Sequence, residues 1–256
     1  MTDSPLRVWR DREGKLLRLR LARPKANIVD AAMIAALQAA LDEAAGDAHL
    51  RGVLLDHEGP HFSFGASVQE HMPEQCAAML KSLHALVLRM VEFPVPILVA
   101  VRGQCLGGGL EVAMAGHLMY VAPDARLGQP EIQIGVFAPA ASCLMPERMP
   151  RVQAEDLLFS GRSITGEEAA RHGLANSVAE DPEAAALAWF DGSVAKHSAA
   201  VLRYAVQAVR ADMVERVKAR IAFVETLYLS GLMSSHDAVE GLTAFLEKRP
   251  AKWEDR

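Results

Sequence analysis

Near the middle of the 256-residue chain lies a glycine-rich stretch, Gly103-Gln104-Cys105-Leu106-Gly107-Gly108-Gly109-Leu110-Glu111. The apolar, branched run before it, residues 95–101, is typical of a buried strand. Residues 110–115 contain good helix formers and no breaker, so the stretch is predicted to join a strand to a helix. Glycines let a backbone approach a ligand closely, and the first N–H groups of a helix have no partner within it. The turn is therefore expected to direct one or two donors at a developing negative charge.

Two carboxylates accompany this turn. Glu111 falls in the first turn of the predicted helix, and Glu131 closes a second short segment, Gly128-Gln129-Pro130-Glu131, in which the proline suits the start of a helical turn. Like charges that are held close together push their pKa values apart, so such a pair can provide one acid and one base. A tight turn followed by two solvated glutamates explains the spacing equally well.

Short strand and helix patterns alternate along the first half of the chain. Residues 17–21 alternate leucine with arginine, which predicts a strand with one face in water. Asp30 is a suitable N-cap for an alanine-rich helix over residues 31–45, and residues 53–55 predict a second strand. Further units follow around residues 95–121. The pattern indicates an α/β chain but does not identify the fold.

Four ordered segments resemble the signature segments of the enoyl-CoA hydratase/isomerase (crotonase) family. They are residues 100–115, 127–132, 159–169 and 172–174. The resemblance covers nearly the whole chain. It implies an α/β fold of the ClpP/crotonase type, a spiral of repeated ββα units with a C-terminal helical trimerisation region. It also implies a division into a spiral core with the CoA site (1–190) and a helical oligomerisation region (191–256).

The same resemblance implies roles for individual residues. The N–H groups of Phe64 and Gly108 would form an oxyanion hole for the thioester oxygen, Glu111 would activate water, and Glu131 would donate a proton. Phe64 departs from the family pattern, because a small residue is usual at its position. The positions that match substrate or CoA contacts in the family are Lys25, Ala26, Gly65, Ala66, Ser67, Gly107, Phe137 and Lys248.

The segment Ala138-Pro139-Ala140-Ala141-Ser142 replaces a second glycine-rich stretch that many family members have. In this respect, and over residues 65–68, 70–73 and 235–242, the chain is similar to a branch that hydrates cyclohexa-1,5-diene-1-carbonyl-CoA to 6-hydroxycyclohex-1-ene-1-carbonyl-CoA in anaerobic benzoyl-CoA degradation. An aromatic pair at Phe64 and Phe137 would suit a flat ring. A general enoyl-CoA hydratase, an enoyl-CoA isomerase of β-oxidation and a non-catalytic acyl-CoA-binding subunit remain alternatives.

Composition limits the partners. Half of the residues (51%) are apolar, enough for a sizeable core, and the net charge of −5 with scattered basic residues does not favour nucleic acid. No apolar run is long enough to span a bilayer, and no signal-peptide pattern is present, so a cytoplasmic enzyme without membrane contact is expected. The three cysteines and nine histidines show no metal-ligand spacing. We expect no metal and no cofactor beyond the CoA of the substrate, a hydro-lyase activity, and a homotrimer or a dimer of trimers.

Overall fold

The computed structural model describes residues 4–256. The predicted absence of a signal peptide rests in part on residues 1–3, which lie outside this range. The strands are β1 (Leu6–Asp11), β2 (Leu16–Leu21), β3 (Gly52–His57), β4 (Ile97–Val101), β5 (Gln104–Leu106), β6 (Leu118–Val121), β7 (Arg126–Gly128), β8 (Ser163–Thr165) and β9 (Ser177–Val178). The helices are α1 (Ala31–Ala45), α2 (Pro73–Val91), α3 (Gly108–Ala115), α4 (Pro139–Arg148), α5 (Arg151–Ser160), α6 (Gly166–Arg171), α7 (Pro182–Trp189), α8 (Ala199–Thr226) and α9 (His236–Leu246).

The strands form two sheets. The larger sheet has the order β1-β2-β3-β4-β6-β9, in which only the β1–β2 pair is antiparallel, and the smaller sheet has the order β5-β7-β8. In the smaller sheet β5 pairs in parallel with β7, which sets Leu106 opposite Gly128. The Gly107 N–H continues this ladder by donating to the Gly128 carbonyl at 3.0 Å. The glycine turn and the segment that leads to Glu131 therefore emerge side by side.

Local signals account for the elements that position the site. Asp30 caps α1 as predicted, because its side chain accepts a hydrogen bond from the Met33 N–H at 2.9 Å. The predicted strand before the glycine turn is β4, all five residues of which are buried. Within residues 4–256 no helix combines the length and the apolar character that crossing a bilayer requires.

The face of β2 that carries its arginines is less exposed than the alternation predicts. Arg18 is 4% exposed, and its guanidinium binds the buried carboxylate of Asp56 on β3 at 2.7 Å. Glu183 on α7 also contacts Arg18 and Arg20, because this helix covers the face. The prediction of a wet face is thus wrong for Arg18, since nothing within the strand reveals a helix that follows it by more than 160 residues.

The C-terminal third is helical, as the sequence indicates. The buried side chains that it adds to the main apolar core, which also contains residues of α2, α3 and α4, include Val217, Ile221, Val224 and Tyr228. Helix α8 packs against both α4 and α2. The end of α8 therefore contributes directly to the core behind the glycine turn, while the division near residue 190 stays a prediction.

Candidate active site

The glycine turn brings a carboxyl group against the backbone. Gly107, at φ +49°, precedes the first residue of α3, and a Cβ placed on it would lie 2.6 Å from the Glu131 carboxyl oxygen. A side chain at this position would both strain the backbone and displace Glu131. The absence of a side chain at Gly107 thus lets the turn and Glu131 share one small space.

Two backbone N–H groups face this space without a protein acceptor. The Gly108 N–H opens α3, and the Ala66 N–H lies beside it, because a Cβ placed on Gly108 would be 3.1 Å from the Ala66 nitrogen. Among residues 4–256 neither N–H donates a hydrogen bond to the protein. Two adjacent free donors, one of them at a helix N-terminus, form a site for a developing oxyanion.

The structure differs here from the sequence prediction, which assigns the second donor to Phe64. The Phe64 N–H donates to the Ala26 carbonyl at 2.9 Å and is therefore already paired. The loop of residues 23–27 runs beside the loop that contains Phe64, and this pairing is invisible in the sequence. Two residues further along, the Ala66 N–H lies beside Gly108 and donates to no acceptor within residues 4–256.

Glu111 is buried beneath the turn, with an exposure of 2%. Its carboxylate accepts a hydrogen bond from the Ala141 N–H at 2.8 Å. Ala141 lies in the first turn of α4, where N–H groups lack helical partners and favour an anion. The Ala138–Ser142 segment stands where many family members have a glycine-rich stretch. Here it holds one of the two carboxylates, that of Glu111. Pro139 at the start of α4 is the only sequence signal of this helix N-terminus.

Glu131 lies in a 3-10 turn, Pro130–Ile134. The buried amide of Gln129, oriented with its nitrogen toward the carboxyl group, donates to the two Glu131 oxygens at 3.2 and 3.1 Å and to the Gly107 carbonyl at 3.3 Å. This amide fixes the carboxyl group over the turn. The sequence analysis missed Gln129 as a site residue, although it stands in the quoted segment.

The two carboxyl groups have different electrostatic surroundings. Burial, and then the charge of Glu111, raises the pKa of Glu131 to about 8. Burial also raises the pKa of Glu111, but the Ala141 and Ala140 N–H groups and His84 oppose this effect. His84 is itself buried and contacts Glu225 on α8 at 2.8 Å. These surroundings favour the proton of the pair on Glu131 and the negative charge on Glu111.

Comparisons with known proteins show the family of the chain. The profile of the Enoyl-CoA hydratase/isomerase family matches residues 11–256. The chain belongs to the enoyl-CoA hydratase/isomerase family. It is 68% identical over 254 residues to the cyclohexa-1,5-dienecarbonyl-CoA hydratase of Thauera aromatica, covering 99% of this chain and 98% of that protein. It is 33% identical to a probable enoyl-CoA hydratase of Bacillus subtilis (strain 168), covering 90% and 92% of the two chains.

A solved structure of the same family supports the fold. EchA1_1 from Mycobacterium paratuberculosis is 27% identical, covers 99% of each chain and superposes with a TM-score of 0.87. The predicted crotonase fold is confirmed, and so is the enzyme class, a hydro-lyase of the enoyl-CoA hydratase/isomerase family that binds acyl-CoA thioesters. The roles of individual residues rest on the geometry described above.

The family's predicted CoA contacts fall into two groups in this structure. Gly65, Ala66 and Gly107 line a pocket of about 160 Å³ beside Glu131, and Ser67 follows them as a half-buried residue. Lys25 and Lys248 are exposed, and Ala26 contributes the carbonyl that pairs with the Phe64 N–H. Phe245 lines the same pocket three residues before Lys248.

The two phenylalanines predicted to flank a ring have separate partners. Phe64 lines the pocket, is 44% exposed and packs edge-on against His61 with ring centroids 5.0 Å apart. Phe137 packs edge-on against Tyr228 at 5.1 Å. Among the described residues no ring contact joins the two phenylalanines. Cys105 is fully buried, and burial raises the pKa of its thiol, which excludes an activated nucleophile at that position.

Proposed function

We propose that the chain hydrates cyclohexa-1,5-diene-1-carbonyl-CoA to 6-hydroxycyclohex-1-ene-1-carbonyl-CoA. The observation that carries the reaction type is a pair of carboxyl groups, buried Glu111 and half-buried Glu131, beside two free backbone N–H donors. The choice of a cyclic substrate is supported by the 68% identity to the Thauera aromatica hydratase of that name. Benzoyl-CoA degradation, in which such a diene arises by partial reduction of an aromatic ring, is the corresponding pathway.

The structures of substrate and product define where the atoms go. Water adds through its oxygen to the ring carbon β to the thioester carbonyl, and the electron pair of that double bond moves toward the carbonyl to give an enolate. Because the second double bond is conjugated with this enolate, the negative charge extends to the far end of the diene. Protonation at that far carbon leaves one double bond, which is conjugated with the carbonyl group. When the ring is numbered along this new double bond, the carbon that carries the hydroxyl group becomes carbon 6, so the product is 6-hydroxycyclohex-1-ene-1-carbonyl-CoA.

In the proposed mechanism a residue of this chain assists each step. Glu111, held as an anion by the α4 N-terminus, takes the proton from water. The Gly108 and Ala66 N–H groups stabilise the enolate oxygen, and removal of one such donor typically costs about 3–4 kcal/mol in the barrier. Glu131 is protonated near neutral pH and gives its proton to the dienolate. The net result is one water added and no change in the protonation of the pair once the two glutamates exchange a proton.

A direct substrate comparison tests this proposal. Turnover of the cyclic dienoyl-CoA is measured beside that of crotonyl-CoA at equal concentrations. We expect kcat/KM to favour the ring by at least about 100-fold, because a pocket shaped for one acyl group loses several kcal/mol with another. Preference for crotonyl-CoA would instead support a general enoyl-CoA hydratase. Migration of a double bond without water uptake would support an isomerase, and binding without turnover a non-catalytic subunit.

We further propose that the protein is a cytoplasmic homotrimer or dimer of trimers. Large apolar side chains on the outer faces of α5 and α8 support self-association, including Phe159 at 73% and Phe223 at 67% exposure. The three cysteines are unpaired and buried, which suits a reducing compartment. Light scattering tests the assembly, and the mass of a single chain would contradict it.

A further inference from the structure

Tyr228 carries a polar group that the mechanism above does not use. The residue lies in a π-helical turn, Leu227–Gly231, at the end of α8, and it is fully buried. Among residues 4–256 its hydroxyl group has no hydrogen-bond partner. A buried hydroxyl without a partner costs about 1–3 kcal/mol. A phenylalanine would fill the same space without this cost, so the hydroxyl is expected to find its partner in a molecule that enters the site.

The surroundings of Tyr228 place its ring beside the segment that joins Glu131 to α4. The ring packs on Phe137, which lies between Glu131 and the N-terminus of α4 that holds Glu111. Burial, followed by the charges of Cys76, Glu131 and Glu111, raises the pKa of Tyr228. The phenol is therefore neutral and keeps its proton, so it both donates and accepts hydrogen bonds.

We propose that the Tyr228 hydroxyl hydrogen-bonds to the oxygen atom that is added to the ring, first as the attacking water and then as the hydroxyl group of the product. Glu111 takes a proton from this water, but a single such contact leaves the orientation of the water toward the β-carbon undetermined. A third, neutral partner fixes that orientation without a change of its own charge. Tyr228 gains no bond and loses no proton in the reaction. The inference rests on the proposed hydration, because it needs an oxygen nucleophile held between Glu111 and Glu131.

The variant Tyr228→Phe removes one oxygen atom and keeps the ring that packs on Phe137. We expect kcat for the cyclic dienoyl-CoA to fall about 10- to 100-fold with little change in KM, the effect of losing one hydrogen bond made chiefly in the transition state. The matched control is Tyr120→Phe, which alters a tyrosine buried in the separate apolar cluster on the other face of the larger sheet. This control is expected to leave kcat unchanged.

Inhibition constants separate a contact with the added oxygen from a structural role. They are measured from initial rates for the hydroxylated product and for cyclohex-1-ene-1-carbonyl-CoA, which lacks only the hydroxyl group. In Tyr228→Phe we expect inhibition by the product to weaken about 5- to 10-fold and inhibition by the deoxy compound to stay unchanged. Equal shifts of both constants, or a kcat within about twofold of the wild-type value, would overturn the proposal.

A second measurement keeps the proposal testable if the variant does not fold. In a crystal structure of the wild-type protein with the product bound, the Tyr228 hydroxyl should lie within about 3.2 Å of the ring hydroxyl. A hydroxyl that contacts only a water away from the ligand would contradict it. If the wild-type protein hydrates crotonyl-CoA and rejects the ring, the proposed substrate fails. The same pair of constants, measured with 3-hydroxybutyryl-CoA and butyryl-CoA, still tests Tyr228.

Discussion

At the scale of single residues, the site separates two identical side chains by their surroundings. Glu111 receives backbone N–H groups from a helix N-terminus, whereas Glu131 receives a neutral amide and faces the charge of Glu111. Chemically equal groups in unequal environments titrate apart, and the pair shares one proton over the neutral range. This arrangement suits the addition of water, because the acid is already protonated and the base already charged.

The pH dependence of the reaction follows from the same assignment. Hydration requires the protonated form of Glu131, so kcat/KM should fall as the pH rises through the pKa of this group, about 8. Glu131→Gln should lower kcat by at least about 1,000-fold and remove this alkaline limb. The exposed Glu74→Gln serves as a control and should keep both rate and profile. A wild-type rate that stays constant to pH 10 would show that Glu131 is not the acid.

At the scale of elements, the site depends on where chain segments meet. The sequence suffices to predict the strand-to-helix turn and, through the family resemblance, that Gly108 and both glutamates lie together, because these residues stand in two short segments. The Ala141 N–H that holds Glu111 lies 30 residues further along, and the pairing of Phe64 with Ala26 joins two loops. Such contacts arise from packing between distant segments, which spacing along the chain does not encode. The proposed role of Tyr228 was missed for the same reason, because a tyrosine at the end of a long helix cannot be told from a core residue by its sequence.

Ion pairs between elements differ strongly in their effect on stability. Asp56 on β3 is buried and binds both Arg18 and Arg20 of β2, at 2.7 and 2.6 Å. Asp56→Ala removes the buried carboxylate that binds Arg18 and leaves this guanidinium only the half-exposed Glu183 and Asp11, so we expect the free energy of unfolding to fall by about 3 kcal/mol. Asp191→Ala breaks an exposed pair with Arg12 and should cost less than about 1 kcal/mol. Urea denaturation measures both, and equal losses would contradict the role of burial.

At the scale of the whole molecule, the buried carboxyl pair opposes the stability of the fold. Glu131 binds its proton more tightly in the folded chain than in the unfolded one, because its pKa is about 8 against an ordinary 4.5. Stability contributed by this proton is present below pH 4.5 and is lost as the pH rises to about 8. Ionisation of Glu131 beside the N-termini of α3 and α4 thus makes the protein less stable in alkaline solution.

Replacement of the carboxyl group should therefore stabilise the inactive protein. Glu131→Gln cannot ionise, and at pH 8.5 we expect its melting temperature to exceed that of the wild type by about 8–15 °C, because a pKa of about 8 against 4.5 corresponds to about 4 kcal/mol at that pH. At pH 5 the difference should shrink to about 2–3 °C, because Glu131 of the folded chain is then protonated. Differential scanning calorimetry at both pH values measures the difference. A variant that melts below the wild type at pH 8.5 would contradict the buried, charge-coupled state of this carboxyl group.

The fate of labelled water tests the proposed hydration most directly. The wild-type protein converts cyclohexa-1,5-diene-1-carbonyl-CoA in ²H₂¹⁸O, and NMR and mass spectrometry locate both labels in the product. We predict ¹⁸O on carbon 6 and a single deuterium on carbon 3, the position that protonation at the far end of the dienolate requires, with neither label incorporated by Glu111→Gln. Deuterium on carbon 5, or a product without ¹⁸O, would contradict addition of water through an enolate held by Gly108 and Ala66.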